Sequence, residues 1–240
     1  MRELPQVTLI GVDCVDVERL LHVAEICQRS FRFGDVRMLT SLPHEHPSIV
    51  PIAPIISREE YSSFMVKQLN SYVDTPFALI IQYDGFILNP DAWRDEYLDY
   101  DYIGAPWWIE QEYIVGNGGF SLRSKRMLEL TQQDDAIRDP ADLDPSELVD
   151  PSDAAEDWYL CVIVRPYLEE RGIRFAPAEL AKQFAFEGGD EHFGVTWTDQ
   201  FGFHGLRWTD ISLWLQQNPN EPIDNTLGGS TLELKAKLEM

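Results

Sequence analysis

Phe77-Ala78-Leu79-Ile80-Ile81-Gln82-Tyr83-Asp84-Gly85 is the stretch on which the reading of this chain turns. Five apolar residues without a polar interruption, following Pro76, predict a buried strand of the kind found in parallel sheets covered by helices. The strand runs out into an amide, a phenol and a carboxylate, and then a glycine. In open α/β sheets ligands bind just beyond the carboxyl ends of the strands, so Asp84 stands where a ligand or a metal ion would meet it. Asp-Gly is also a common turn pair, and on its own the residue admits both readings.

Toward the N-terminus, Val7 to Val12 is a second apolar, β-branched run and predicts another strand. A helix is expected from Val17 to Phe31, with Leu20, Leu21, Ala24 and Cys27 at helical spacing and Gly34 as its stop. Val36 to Thr40 predicts a strand, and Pro43, Pro47, Pro51 and Pro54 an irregular connection. Ser57 and Glu60 form a capping box that opens a helix from about Arg58 to Tyr72. Strand, helix, strand, helix, strand argues for an α/β domain with a single, mixed but mainly parallel sheet flanked by helices. Further on, helices are expected from Ser124 to Thr131 and from Glu156 to Glu170, the latter kinked or stopped at Pro166. Ile173 to Ala176 is a last short strand. One domain over residues 1–217 results. Residues 134–153, acidic and punctuated by proline, read as a mobile insertion. Residues 218–240 read as a polar tail with a short amphipathic helix from Leu232 to Met240.

Composition narrows the function. The 240 residues carry 19 Lys and Arg against 41 Asp and Glu, a net charge of −22. That excludes a duplex nucleic-acid binder and adsorption to an anionic membrane. Hydrophobic residues at 44% and aromatics at 12% exclude disorder of the whole chain. An anionic substrate would need positive charge brought to the site by a few arginines or a metal ion. No apolar run approaches the ~20 residues of a membrane span, and Met1 to Pro5 has no signal-peptide core. Cys14, Cys27 and Cys161 have neither metal-ligand nor disulfide spacing, so free thiols and a cytoplasmic location are expected.

Three more stretches carry chemistry. Gly116-Asn117-Gly118-Gly119 lets backbone approach a ligand closely, without the spacing of a P-loop or a dinucleotide fingerprint. Asp153 to Asp157 opens a helix, where carboxylates meet the helix dipole or serve as a general base. His204, between Phe203 and Gly205, is a turn histidine or, if near Asp84, a ligand for Mn²⁺ or Mg²⁺.

In this order the four features resemble the core motifs of the glycosyltransferase-A (GT-A) fold. Asp84 matches the metal-binding aspartate that ends its Asp-x-Asp motif. Gly116 to Gly119 resembles its glycine loop beside donor sugar and acceptor, so Gly118 and Gly119 become donor- and acceptor-binding residues. Ala155-Glu156-Asp157 resembles its x-Glu-Asp motif, with Asp157 as base and Glu156 as its catalytic companion. His204 resembles its C-terminal metal-ligating histidine. More closely, Gln82-Tyr83-Asp84-Gly85-Phe86, Tyr102-Ile103-Gly104-Ala105-Pro106-Trp107, Gly116-Asn117-Gly118-Gly119-Phe120-Ser121-Leu122-Arg123-Ser124 and Glu156-Asp157 resemble the DUF5672 family of glycosyltransferase-like proteins. The resemblance runs from about Val7 to Gly205. Gln82 departs from the pattern: it stands where the motif's first carboxylate would be and brings no charge, though its amide can hydrogen-bond a ribose hydroxyl.

The resemblance implies a metal-dependent, inverting transferase moving a hexose from a nucleotide-diphosphate sugar to an acceptor hydroxyl, as in polysaccharide biosynthesis. The acceptor would be a glycan, a lipid-linked glycan or a small molecule. Asp13, Gln82 and Tyr83 would lie along the donor, Trp107 against a sugar face, and residues 134–153 would close as a lid. Two rival readings stand beside it. One is a non-catalytic module that binds a nucleotide-sugar or glycan on the same fold. The other is a metal-dependent nucleotidyltransferase, which would need a basic pocket for a triphosphate: Arg123 and Lys125 lie close to the glycine loop, but no phosphate-cradling glycine-rich loop follows the first strand.

Overall fold

The structure is a computed structural model and describes residues 1–109, 111–144, 155–187, 197–206, 209–221 and 223. Its centre is a six-stranded sheet in the order β3-β2-β1-β4-β8-β5. The strands are β1 (Arg2–Val12), β2 (Phe31–Thr40), β3 (Ile49–Pro51), β4 (Phe77–Ile81), β5 (Tyr102–Ile103) and β8 (Ser121–Ser124). β1 to β4 run parallel, and β8 runs antiparallel to both β4 and β5. The molecule is therefore a mixed α/β protein with a mostly parallel central sheet.

Continuous apolar sequence becomes two-sided burial. On β4, Leu79 and Ile81 pack into a large core with the helix α1 (Val17–Gln28). Ala78 and Ile80 face the other way, against Phe64, Met65 and Leu128 of α2 (Arg58–Lys67) and α3 (Lys125–Gln133). Sequence of this kind cannot leave a face to water without exposing apolar surface at roughly 25 cal/mol per Å².

Several expected boundaries shift. α1 ends at Gln28, because Phe31 already pairs with Arg2 at the start of β2. Gly34 does not end the helix. It sits inside β2, where an added Cβ would lie 2.1 Å from the Pro5 carbonyl oxygen. β1 starts at Arg2, earlier than the apolar run, and tolerates Pro5 at an irregularity in its pairing with β2 between Leu4 and Thr8. α2 stops at Lys67 and a 3₁₀ turn, Leu69–Tyr72, completes the expected length. Of the predicted strand Ile173 to Ala176, only a single bridge from Phe175 to Tyr102 forms. The helical pattern from Glu156 to Glu170 divides into α4 (Glu156–Trp158), a π turn (Tyr159–Ile163) and α5 (Arg165–Glu170). Pro166 lacks the N–H needed to carry an α-helix through, and the Val164 amide reaches back to the Tyr159 carbonyl at 2.9 Å.

Two small sheets complete the fold. One is the hairpin β6 (Pro106–Ile109) and β7 (Glu112–Val115). The other pairs β9 (Ala185–Glu187) with β10 (Gly202–His204) in parallel. α6 (Ala178–Phe184) leads into β9, and α7 (Ser212–Gln217) follows β10. Beyond α7, Glu221 returns to α1: its carboxylate meets His22 Nε2 at 3.0 Å and pairs with Arg29. Of the acidic insertion, the part up to residue 144 is anchored, with Ile137 in the core and Lys67 Nζ donating to its carbonyl. Residues 145–153 and the expected helix Leu232 to Met240 lie outside the described residues. Among the described residues no helix is long and apolar enough to cross a membrane.

Candidate functional site

The parallel strands β1 and β4 end side by side, and the site is built on that edge. Gln82 and Gly85 exchange reciprocal backbone hydrogen bonds, each 3.0 Å, so β4 leaves the sheet through a closed turn that presents Gln82 and Asp84. The Asp84 carbonyl accepts from the Gly205 amide at 2.7 Å, which fastens that turn to the end of β10. His204 thereby comes opposite Asp84, with Nε2 3.7 Å from Oδ1.

His204 is held from every side. Nε2 also meets Gln82 Oε1 at 3.1 Å, while Nδ1 meets Glu187 Oε1 at 3.1 Å and Asn117 Nδ2 at 2.9 Å. Burial opposes a charge on the ring, yet Asp84 and Glu187 together lift its pKa to about 9. Burial pushes the Asp84 carboxyl above its ordinary value, with His204 pulling the other way. Asp84 Oδ1 is buried and accepts no hydrogen bond. Glu187 is also desolvated, but its bonds to His204, Trp107 and Asn117 hold it below the usual carboxylate range.

The glycine loop wraps around this histidine. Asn117 adopts a left-handed backbone, φ 56°, which turns the chain so that its amide reaches His204. A Cβ on Gly119 would lie 2.1 Å from His204 Nε2, and one on Gly118 would lie 2.0 Å from Glu156 Oε1. Glycine is required at both by close approach. The Gly118 amide donates to Asp157 Oδ2 at 2.9 Å, while Asp157 Oδ1 accepts from the Trp158 amide. Asp157 is half-buried at the N-terminus of α4, beside the loop.

The sequence-predicted residues separate into layers. Gln82, Asp84, Gly118, Gly119, Asp157 and His204 converge. Asp13 and Tyr83 line an adjoining cleft of about 260 Å³, with Ile55, Ser57, Arg58 and Tyr61 opposite. Asp13 Oδ1 also accepts from the Val15 and Asp16 amides, which shapes the turn after β1. Tyr83 borders a second cavity of about 350 Å³ as well, and the Arg19 guanidinium lies 4.2 Å above its ring. Trp107 stands behind the site, packed beside Trp158, with Nε1 donating to Glu187 Oε2 at 3.2 Å. Glu156 lies beneath the loop, buried, and takes both hydrogen bonds of its carboxylate from Arg123 Nη2, at 3.0 and 2.9 Å. Burial works against the Arg123 charge, but Glu156 more than restores it. Arg123 is thus spent inside the fold, and Lys125 Nζ donates to the Asn70 carbonyl, so both cations next to the glycine loop in sequence have partners within the fold.

Sequence reasoning missed Tyr61, Glu187 and the depth of Arg123. Glu187 carried a signal: Phe184-Ala185-Phe186 runs apolar into a carboxylate, as β4 does into Asp84. Tyr61, on a polar helix, carried none.

The model of DUF5672, a protein family of unknown function, matches residues 48–204. The chain belongs to the DUF5672 family. The match takes in Gln82, Asp84, the glycine loop, Asp157, Glu187 and His204, so the whole convergence lies within the DUF5672 region. No curated protein matches this DUF5672 chain. Among solved structures, it is similar to the bifunctional IspDF from Campylobacter jejuni at 11% identity and a TM-score of 0.38. That similarity covers 62% of this chain and 46% of the other, so the chain spans about half the length of that relative. It is also similar to A197 from STIV at 11% identity and a TM-score of 0.31, over 66% of this chain and 75% of that one.

Proposed function

We propose that the protein is a glycosyltransferase of GT-A type, which moves a sugar from a nucleotide-diphosphate donor to an acceptor hydroxyl with inversion. The observation that carries this reading is that one glycine loop touches both halves of the site: the Gly118 amide donates to Asp157, and Gly119 lies against His204, which faces Asp84 at the end of β4. One end of the site offers a proton acceptor and the other a place for a cation, with a cleft for a nucleoside alongside.

Among the described residues no group of three or more His, Cys, Asp or Glu is arranged to hold a metal ion. Asp84 Oδ1, buried without a hydrogen bond, and His204 Nε2, which would give up its proton on binding, would supply two ligands, and their oxygen and nitrogen suit Mn²⁺ or Mg²⁺ with the remaining positions left to diphosphate and water. When bound, the ion would offset the charge that builds on the departing diphosphate.

Asp157 accepts the proton of the acceptor hydroxyl. The hydroxyl oxygen bonds to the anomeric carbon on the face opposite the diphosphate. The bond from that carbon to the phosphate oxygen breaks, and its electron pair leaves with the nucleoside diphosphate. Gly118 N–H steadies Asp157 in place for this transfer. The cleft walls Val12, Ile55 and Tyr61 would cover the nucleoside.

The test is donor turnover. A panel of nucleotide-sugars with Mn²⁺ should include one that the protein slowly hydrolyses without acceptor, with a matching nucleoside diphosphate that raises Tm. A donor bound but never consumed, with or without candidate acceptors, identifies a binding module instead.

A further inference from the structure

Gln82 is where the chain departs from a paired-carboxylate motif, and both ends of its side chain are already engaged. Its Nε2 donates to the Tyr61 hydroxyl at 2.8 Å, and its Oε1 meets His204 Nε2 at 3.1 Å. A carboxylate at this position could not donate to Tyr61 in that way. Tyr61 comes from α2, on the opposite wall of the nucleoside cleft. Burial, with Glu156 nearby, keeps its phenol protonated, and its oxygen serves Gln82 as acceptor. The donor end of the amide is thus pinned to Tyr61, which turns the carbonyl oxygen toward the Asp84–His204 edge.

We propose that Tyr61 and Gln82 act as one positioning unit, which fixes the Gln82 carbonyl oxygen as a third protein ligand for the cation at Asp84 and His204. This inference rests on the metal-dependent reading given above. The closed turn from Gln82 to Gly85 places Gln82 and Asp84 on the same loop, and His204 Nε2 faces both of their oxygens. Amide carbonyls are ordinary ligands for hard divalent cations. Charge gives the substitution a purpose. Asp84 contributes one negative charge, whereas Gln82 and a neutral imidazole contribute none. A divalent ion held by these three is balanced by Asp84 and by Glu187 behind His204, and a second carboxylate at position 82 would turn the site net negative toward a diphosphate. In a chain of net charge −22 an uncharged ligand at position 82 avoids adding repulsion against an anionic donor. Gln82 is thereby assigned to the cation and not to a ribose hydroxyl.

The probe is Mn²⁺ alone, with free ion followed by electron paramagnetic resonance, for wild type and for Asp84→Asn, Gln82→Ala, Gln82→Glu and Tyr61→Phe. Thermal melts establish that each variant is folded before titration. Tyr61→Phe should weaken Mn²⁺ about 10–100-fold, the usual effect of losing a residue that orients a ligand. Gln82→Ala should weaken it at least as much. Gln82→Glu, which keeps an oxygen and adds charge, should retain binding. A nuclear magnetic resonance spectrum of the metal-free protein reads the same unit independently: Tyr61→Phe should move the Gln82 side-chain amide and the His204 Nε2 resonance. If Asp84→Asn abolishes binding while Gln82→Ala and Tyr61→Phe bind as wild type, the cation reading stands and this inference falls. If wild type itself does not bind Mn²⁺, both fall.

Discussion

Asp157 Oδ2 accepts the amide hydrogen of Gly118 at 2.9 Å, which joins the base candidate directly to the loop that would hold donor and acceptor. Asp157→Asn can keep an oxygen facing that amide but cannot take up a proton. Turnover should fall about 10²–10⁴-fold with donor affinity nearly unchanged. Stability should drop by at most ~1 kcal/mol, the scale of a helix N-terminal contact. Product formation and donor binding measured on the same variant check this. Near-wild-type turnover would remove Asp157 from the mechanism.

Glu156 behaves differently although it is the next residue. Its carboxylate is buried against Arg123, so Glu156→Gln leaves a cation inside the fold without its counter-charge. Breaking a buried pair from one side costs about 3–5 kcal/mol. Urea unfolding should show that loss. Replacing both partners together, as Arg123→Met with Glu156→Leu, should recover much of it.

Asp84→Asn should abolish the Mn²⁺-dependent part of nucleoside diphosphate binding while leaving the fold intact. In wild type, ligand at about 100 times its dissociation constant adds ~2.7 kcal/mol, read as a rise in Tm. Chelation with EDTA should bring wild type down to the Asp84→Asn curve, and identical melting with and without metal would contradict the assignment.

Gly119→Ala tests the close approach itself. The new methyl group would sit 2.1 Å from His204 Nε2, and the ring must move. Nucleoside diphosphate binding with Mn²⁺ should be lost, with little change in the far-ultraviolet circular dichroism. Retention of full binding would show that His204 is free to shift.

Acid stability should depend on Asp101, far from the site. Burial would raise its pKa, but Arg126, the Ser124 hydroxyl and the Arg174 amide together hold it below the usual aspartate value. A carboxylate depressed in the folded state contributes stability above its unfolded pKa, near ~3.9, and loses it as pH falls through the folded value. Asp101→Asn should flatten the acid limb of the stability–pH profile in that window. A limb as steep as that of wild type would point to other carboxylates.

What sequence could deliver here was set by how local the causes are. β4 was readable because an apolar run buried on both faces states its own environment. Ser57 was readable as a cap because its partner, the Glu60 amide, lies three residues away. Glu60 itself reaches the Ile56 amide, one residue before the expected one. Asp84, the glycine loop, Glu156-Asp157 and His204 could be picked out by residue type and order, yet their distances depend on contacts between residues 33 to 122 apart in the chain. Glu156 and Asp157 show the limit: adjacent and chemically alike, they differ because one side chain turns inward to Arg123 and the other toward the loop. Tyr61 lay beyond reach for the same reason, since its partner Gln82 is defined only once α2 packs beside β4.

Glu221 gives the end of the described chain a hold on its beginning. It joins His22 and Arg29, at the middle and close of α1, and Ile223 two residues on walls the cavity beside Arg19 and Tyr83. α1 starts just after the turn at Asp13 that borders the cleft shared with Ser57 and Tyr61. Cutting the chain before Glu221 would therefore loosen the first helix and not merely trim an end. Amide hydrogen exchange in Val17–Gln28 would register the cut.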